Sequence, residues 1–525
     1  RVTEPLIRKD GKLTPVPLEQ AVDYVARTAA HIRRNDGHVQ GLISARQTNE
    51  TAFFFQKLMR ETFRSGDIHS SSRFPGLRDN QAVDALMQIL SAPENRRPLK
   101  AALASEVVFL LGANVTEENP VTGFLIREAV RDQDKQLLVT SSRPSGLDDI
   151  AHASLRLLPG NEAVLLSALC GDMAQAAPNG MADFISASHA SLDKAGSITL
   201  IVGSEFLRSS LAAGCLQWIL RATDIWKAGG KEVCVHVLTD RANQRGLWEM
   251  GALPGAGPGG QPDPALSPPS NAVPDMVYIL GADPVDGSPD DNPYRLAALE
   301  TPCLVVQSSH MTRTAEMAHV VLPAPTYGEE SGTYTNNEGL KQRVRIFRAS
   351  PGVRTCQETL GLIATATETA LRSGHAGPVE ARFSAVADIP STGIADFHPT
   401  VPNMGGKAGL DSPQVISDRR SGLTRYLVTG DGQFHSGNLL SQSRVLSSIR
   451  NGPYVEVNPG EDFNFETDGQ MVSLVRGEAR FTGRLKVNRA FDEDIVFVPE
   501  CYLAGSAGNI LSFAEYPLRV RLEFS

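Results

Sequence analysis

Residues 105–120 read SEVVFLLGANVTEENP, and residues 274–289 read PDMVYILGADPVDGSP. In each, a short apolar run ends in Leu-Gly-Ala, followed by Asn114 in the first and Asp283 in the second. A second pair of segments follows, KQLLVTSSRPSGLDDIAHASLRLLP at 135–159 and TPCLVVQSSHMTRTAEMAHVVLP at 301–323. Both of these carry an apolar run ending in Ser-Ser, an Ala-His pair ten residues on, and a third run closing on Leu-Pro. Self-similarity of this kind marks one structural unit used twice.

The apolar runs are short, rich in β-branched residues and bounded by Gly, Asn, Asp or Pro, which suits strands buried on both faces of a parallel sheet. Between them lie helical stretches such as Val121–Arg131, with Phe124, Leu125, Ile126, Ala129 and Val130 in its apolar pattern and Pro120 at its opening. Strand, helix and strand in alternation predict doubly wound α/β layers. Ligands of such sheets sit beyond the carboxyl ends of the strands, so Gly112-Ala113-Asn114 and Gly281-Ala282-Asp283 mark two candidate nucleotide-facing loops. A plain tight turn is the alternative reading of both.

Upstream, residues 17–34 and 49–64 are predicted amphipathic helices, the second with Asn49 as N-cap and Phe53, Phe54 and Phe63 on its core face. Residues 251–274 are dominated by Gly and Pro and predict irregular backbone. Residues 373–425 form a second such region, after which short β-rich runs alternate with turns to the end of the chain and predict an all-β barrel or sandwich. The expected domains are therefore a discontinuous α/β domain of residues 1–99 and 274–372, a second α/β domain at 100–251, linkers at 252–273 and 373–425, and a barrel at 426–525.

At 525 residues the chain is too long for one core. Its net charge of −9 makes a nucleic-acid partner unfavourable. No apolar run approaches the ~20 residues of a spanning helix, and residues 1–17 carry no apolar core of a signal peptide. The six cysteines, Cys170, Cys215, Cys234, Cys303, Cys356 and Cys501, include no CxxC pair for zinc or an iron–sulfur cluster and read as small buried thiols of a reducing compartment.

Three further stretches carry a resemblance. Residues 241–255 are RANQRGLWEMGALPG, 321–343 are VLPAPTYGEESGTYTNNEGLKQR, and 429–443 are TGDGQFHSGNLLSQS. With the repeat and the C-terminal β region, they resemble the molybdopterin oxidoreductase superfamily, whose formate dehydrogenase and DMSO reductase members have two doubly wound domains and a dinucleotide-binding barrel. Within it, RVTEPLIRKDGKLTPVPLEQAVDYVA at 1–26 and LISARQTNETAFFFQKLMRE at 42–61 are similar to the large peripheral-arm subunit of NADH:quinone oxidoreductase, respiratory complex I. That subunit carries an iron–sulfur region ahead of the part matched here, so the resemblance implies that this region was removed or is supplied by another chain.

The resemblance also bears on the metal. Catalytic members hold molybdenum or tungsten through a Cys, selenocysteine, Ser or Asp that falls here near Pro75-Gly76, where neither residue offers a side-chain ligand. Ser70, Ser71 and Ser72 are nearby hydroxyls whose ordinary role is helix capping. The His and Arg that formate dehydrogenases use on substrate fall at Gly76 and about Thr239. The acidic residue expected to receive the guanosine ribose is replaced by Ser141 in one repeat and Ser308 in the other. Arsenite oxidases hold the metal without any protein ligand, which leaves a pterin site open.

His152 and His319, equivalent in the repeat, read as helix-end or packing residues. Glu329, Glu330, Asn336, Asn337, Glu338, Gln342 and Arg343 form a polar loop that either binds a pterin or makes an interdomain hydrogen-bond network. The vestigial cleft implied is Asn114, Ser141, Asp283, Ser308, Asn336, Asn337 and His435, with no catalytic residue and no metal ligand.

The function expected is a structural, redox-silent part of an NADH:quinone oxidoreductase subunit with no active site of its own, peripheral to the cytoplasmic face of the inner (plasma) membrane. Iron–sulfur clusters and FMN would sit in partner subunits or the missing N-terminal region. The rival is an oxidoreductase using bis-molybdopterin guanine dinucleotide with no protein metal ligand. A third reading is a non-redox module that retains a nucleotide or pterin fragment.

Overall fold

A computed structural model describes residues 1–70, 74–133, 135–171, 180–239, 241–260, 272–286, 289–348, 350–372, 423–430, 452–458, 469–503, 510–512 and 517–524. His435, Ser71, Ser72, most of 373–425 and the centre of 252–273 lie outside the described residues. The chain divides into two compact units, Arg1–Arg73 with Arg241–Ser288 and Asn292–Thr400, and Phe74–Asp240 with Pro289–Asp291 and Val401–Ser525.

The first unit holds a seven-stranded sheet. Its strands are β1 (Leu6–Lys9), β2 (Lys12–Pro15), β3 (Val39–Ile43), β4 (Ile68–His69), β10 (Met276–Leu280), β11 (Leu304–Ser308) and β12 (Val320–Pro323), in the order β2-β1-β12-β11-β10-β3-β4. From β12 to β4 the pairing is parallel, while β1 joins β12 and β2 antiparallel. The β1–β2 turn is Asp10-Gly11, both with positive φ (48° and 79°), the backbone that a two-residue hairpin demands.

Every residue of β10, β11 and β12 is buried, as continuous apolar strands covered on both faces should be. Helix Leu18–Arg34 covers one face with Ala21, Val22, Val25, Ala26 and Ala29, spaced three and four apart, and packs against helix Cys356–Arg372 through Leu360 and Ile363. Each fully buried side chain of the Val or Ile kind contributes about 1.5–3 kcal/mol over exposure. Helix Asn49–Lys57 is capped by Thr48, whose Oγ1 accepts from Thr51 N at 3.2 Å, not by Asn49 as the sequence predicts. Asn49 is the first helical residue, and its side chain is used elsewhere. Phe54 and Phe63 are buried as expected, together with Phe55.

The second unit holds a parallel sheet of β5 (Val107–Leu111), β6 (Gln136–Ser141), β7 (Ala153–Arg156), β8 (Ser197–Val202) and β9 (Glu232–Val237), ordered β7-β6-β5-β8-β9. Helix Pro120–Gln133 buries Ile126 and Ala129 but leaves Val121 and Phe124 exposed, so its apolar stripe is narrower than the sequence suggested. Helix Asn80–Ser91 packs on helix Ala212–Ala228 within this unit.

The same unit contains a closed six-stranded barrel of β15 (Thr424–Gly430), β16 (Tyr454–Val457), β17 (Met471–Arg476), β18 (Ala479–Val487), β19 (Ile495–Pro499) and β20 (Leu518–Phe524), ordered β15-β19-β16-β18-β17-β20. Phe481 and Leu485 point inward from β18 while alternate residues face solvent, and Leu427, Val455, Leu474 and Val496 complete the interior. Two doubly wound sheets and a barrel are the predicted fold class. A two-stranded hairpin, β13 (Gly332–Thr335) with β14 (Lys341–Val344), belongs to the first unit.

Candidate functional site

Crossovers leave β10 and β3 in opposite directions, and likewise β5 and β8, so each parallel sheet has a switch point at which a crevice opens beyond the strand ends. In the first unit the crevice residues are polar and interlocked. Ser44 N donates to Leu280 O at 2.8 Å, drawing the two loops together. Gly281 has φ of 71°, and a Cβ there would stand 2.6 Å from Gln47 Nε2, so glycine is required for the loops to meet.

From the helix that follows Gln47, Asn49 Nδ2 donates to Thr333 Oγ1 at 3.1 Å and Thr335 Oγ1 at 3.0 Å. Glu50 accepts from Thr333 N and Oγ1 at 2.7 and 2.8 Å. Asn243 donates to Gln47 O at 2.8 Å and accepts from Thr335 N at 2.7 Å. Arg245, buried, donates to Asn337 O at 2.8 Å and to Glu249 Oε1 at 3.2 Å. The hairpin β13–β14 is thus held by side chains from two helices. Asn49 Oδ1 and Gln244 Oε1 accept no hydrogen bond among the described residues.

Glu330 lies beneath this network. Burial pushes its carboxyl up to about 7, outweighing the hydrogen bonds it accepts from Cys356 N at 3.0 Å and Thr51 Oγ1 at 3.4 Å. Just before β4, Asp67 is 1% exposed in its side chain, with His69 Nε2 at 2.6 Å and His38 Nε2 at 2.9 Å. Gln40 Nε2 donates to Asp67 at 3.0 Å, and Tyr294 OH lies 3.1 Å from His69 Nδ1. Burial alone would raise the Asp67 carboxyl, but the two histidines hold it well below the usual range.

The second unit fills its switch point with charge. Arg143, just beyond β6, bonds Glu117 and Glu118 at 3.0 Å each, and its guanidinium lies 4.0 Å from the centre of the Phe497 ring. Its side chain is only 3% exposed. Glu205 accepts from Ser142 Oγ at 3.1 Å, and Arg208 bonds Glu500 at 2.9 Å. Glu162 stands under Gly112, where a Cβ would come 2.8 Å from its Oε1; its Oε2 accepts from Gly160 N at 2.6 Å. Burial pushes the Glu162 carboxyl up to about 7. A Cβ on Gly203 would meet Gly112 O at 2.0 Å, so the two loops that border the crevice are in backbone contact.

The described residues of the sequence-predicted cleft fall into two groups, one in each unit. Ser141 Oγ donates to Arg143 O, and Ser308 Oγ donates to His310 O at 2.8 Å, the same two-residue closure in both repeats. Asn114 donates to Pro144 O at 3.1 Å and accepts from Thr116 Oγ1 at 2.9 Å; Asp283 accepts from Thr314 N at 3.1 Å and from its hydroxyl. Asn336 Oδ1 accepts from Glu338 N and Leu340 N at 3.1 and 2.9 Å, closing the hairpin loop. His319 Nδ1 accepts from Leu304 N at 2.9 Å, a packing role, and His152 is exposed. Arg143, Glu162, Glu205, Asp67 and Asn49 were not singled out as site residues from the sequence. Charged residues inside apolar stretches, as in NEAVLLSAL at 161–169, were the available signal.

A sequence profile described as Molybdopterin oxidoreductase matches residues 1–354. The chain belongs to the molybdopterin oxidoreductase family. Within the family it is 33% identical to the G 2 subunit of NADH-quinone oxidoreductase from Rhizobium meliloti (strain 1021), over 99% of this chain and 66% of that protein. It is 24% identical to NADPH-Fe(3+) oxidoreductase subunit alpha of Geobacter sulfurreducens, over 90% of this chain and 62% of the relative. The chain thus spans about two thirds of the length of these two relatives. F420-dependent formate dehydrogenase 1 subunit alpha of Methanococcus maripaludis is 24% identical over 98% of this chain and 88% of its own length. The fold matches acetylene hydratase from Pelobacter acetylenicus with a TM-score of 0.66 at 14% identity, over 100% of this chain and 92% of that one.

The resemblance puts the family's protein ligand to a pterin-held metal near Pro75-Gly76, and Gly76 leaves no room for a side chain. A Cβ on Gly76 would lie 2.6 Å from Ala212 Cβ and Ser209 O and 2.7 Å from Leu207 O. No side chain of any length can be placed there without moving backbone. At the second switch point Arg143 is already paired with Glu117 and Glu118, and Arg208 with Glu500.

Proposed function

We propose that this chain is a structural, redox-silent part of a subunit of NADH:quinone oxidoreductase, stabilising the arm through which electrons pass between FMN and iron–sulfur clusters held in partner subunits or in other parts of the same polypeptide. The observation that supports the reading is Gly76, closed off by Ala212 Cβ and the Ser209 and Leu207 carbonyls in the Pro75-Gly76 stretch where the resemblance places the family's metal ligand. The likeness to the Rhizobium meliloti protein supplies the assembly. The reading puts the chain at the cytoplasmic face of the inner (plasma) membrane, attached through partners; no helix among the described residues is long and apolar enough to cross a membrane.

A second reading, an active bis-molybdopterin guanine dinucleotide enzyme with no protein metal ligand, is favoured by the likeness to formate dehydrogenase along the chain and by the unmatched acceptors Asn49 Oδ1 and Gln244 Oε1, to which a bound ligand would donate. Elemental analysis for Mo and W with fluorescence of oxidised pterin, on protein purified with its partners, separates the two. Absence of metal and pterin is expected. Stoichiometric metal with pterin would sink the structural reading and establish the second; pterin without metal would mean that the crevice is kept for binding alone.

A further inference from the structure

The segment 339–357, GLKQRVRIFRASPGVRTCQ, holds five cations, Lys341, Arg343, Arg345, Arg348 and Arg354, and no carboxylate, in a chain whose net charge is −9. All five are exposed. Among them stand exposed apolar side chains: Phe347 is 72% exposed, Tyr327 70%, Leu340 56% and Ile346 50%. The Phe347 and Tyr327 rings are held 5.9 Å apart, and Phe347 N donates to Gly328 O at 3.1 Å, so the aromatic pair is fixed in place.

This strip is also a sheet edge. Strand β13 is the sole strand partner of β14 among the described residues. The inner strand is anchored by Asn49, Glu50 and Asn243, while Lys341, Gln342 and Arg343 of the outer strand face solvent. Short length and charge are enough to protect such an edge against aggregation. Here large apolar side chains remain uncovered beside the charges, the composition of a binding surface.

We propose that β14 and residues 345–348 dock an acidic, partly apolar segment of a partner protein, which adds as a strand to the free edge of β14. The free backbone edge calls for a peptide, Phe347, Ile346 and Leu340 call for apolar side chains, and the five cations call for carboxylates. Nucleic acid satisfies only the last of these, and the remainder of the chain repels it. The inference stands apart from the proposed function, since a catalytic chain could carry the same edge.

The test is fluorescence anisotropy of a labelled decapeptide of alternating Glu and Val, titrated with the full chain at low and moderate salt. Binding that weakens with salt is expected. It should fall by at least about tenfold in the variant Arg343→Glu/Arg345→Glu/Arg348→Glu and several-fold in Phe347→Ala. It should also fall for the peptide N-methylated on alternate residues, which cannot pair with a strand edge. All altered side chains are exposed, and unchanged thermal melting verifies the fold. No binding by the parent, equal binding by the triple variant, or equal binding of the methylated peptide would overturn the proposal. Displacement of the peptide by an equal concentration of a thymidine decanucleotide would assign the surface to nucleic acid instead.

Discussion

Gly76 decides more than any other residue here, because what is absent from it cannot be restored by mutation. A Cys at this position would place its Cβ within 2.7 Å of two backbone carbonyl oxygens, and neither can move without displacing the loop before helix Ala212–Ala228. Gly76→Cys should therefore destabilise the second unit by about 2 kcal/mol or more and bind no additional molybdenum. A urea midpoint equal to that of the parent, or metal uptake, would disprove the packing argument. Asp67 is a second such residue. Its folded carboxyl lies below the unfolded value of about 3.9, so its stabilisation is present above that pH and is lost as pH falls through the folded value. Asp67→Asn should cost about 3 kcal/mol at pH 7, the penalty of leaving buried partners unmatched, with the gap to the parent closing in acid. A constant gap from pH 7 down to pH 2 would contradict it. Neither Asp67 nor Arg143 could be found from sequence, since what distinguishes them is burial beside partners distant in the chain.

At the scale of elements, the repeat was readable because β5, β6, β10 and β11 are buried on both faces, so each shows as an uninterrupted apolar run. Strand β3, VQGLI, hid itself. Gly41 is there because a Cβ would come 2.9 Å from Met59 Cε, and Gln40 is there to bond Asp67. Tertiary demands erased the pattern that marks a central strand. The N-cap moved from Asn49 to Thr48 for a similar reason, since the Asn49 amide is committed to Thr333 and Thr335. That commitment makes Gly246 critical. A Cβ there would lie 2.1 Å from both Asn49 Oδ1 and Asn243 Oδ1, whose side chains are pinned by their own hydrogen bonds. Gly246→Ala should push helix Gln244–Glu249 off helix Asn49–Lys57 at a cost of about 2 kcal/mol. Trp248, fully buried in that helix, reports the change: red-shifted emission and a lowered midpoint are expected, and an unshifted spectrum with unchanged stability would refute it.

For the molecule as a whole, the two units carry the same kind of pH liability in different places. Glu162 in the second unit and Glu330 in the first are both raised from 4.5 to about 7, chiefly by burial. The sign follows from linkage. A carboxyl that holds its proton more tightly when folded contributes most below its unfolded value, and that contribution declines as pH rises towards the folded value. Between about pH 4.5 and 7 each unit should lose roughly 3 kcal/mol from this source, at 1.36 kcal/mol per pH unit of separation. Glutamine keeps the acceptor that Gly160 N and Cys356 N need without the charge, so Glu162→Gln and Glu330→Gln should each flatten the curve. The tryptophans sort the effects, because Trp248 lies in the first unit and Trp218 and Trp226 in the second. In single-reporter backgrounds, Glu330→Gln should flatten the pH dependence seen by Trp248 alone, and Glu162→Gln that seen by Trp218 and Trp226 alone. Among the described residues the two carboxyls have no hydrogen-bond partner in common, so the double variant should show both changes at their single-variant sizes. If either variant shifts both reporters equally, the units unfold as one and the separate assignment of the two carboxyls fails; if neither curve flattens above pH 4.5, burial does not hold these protons.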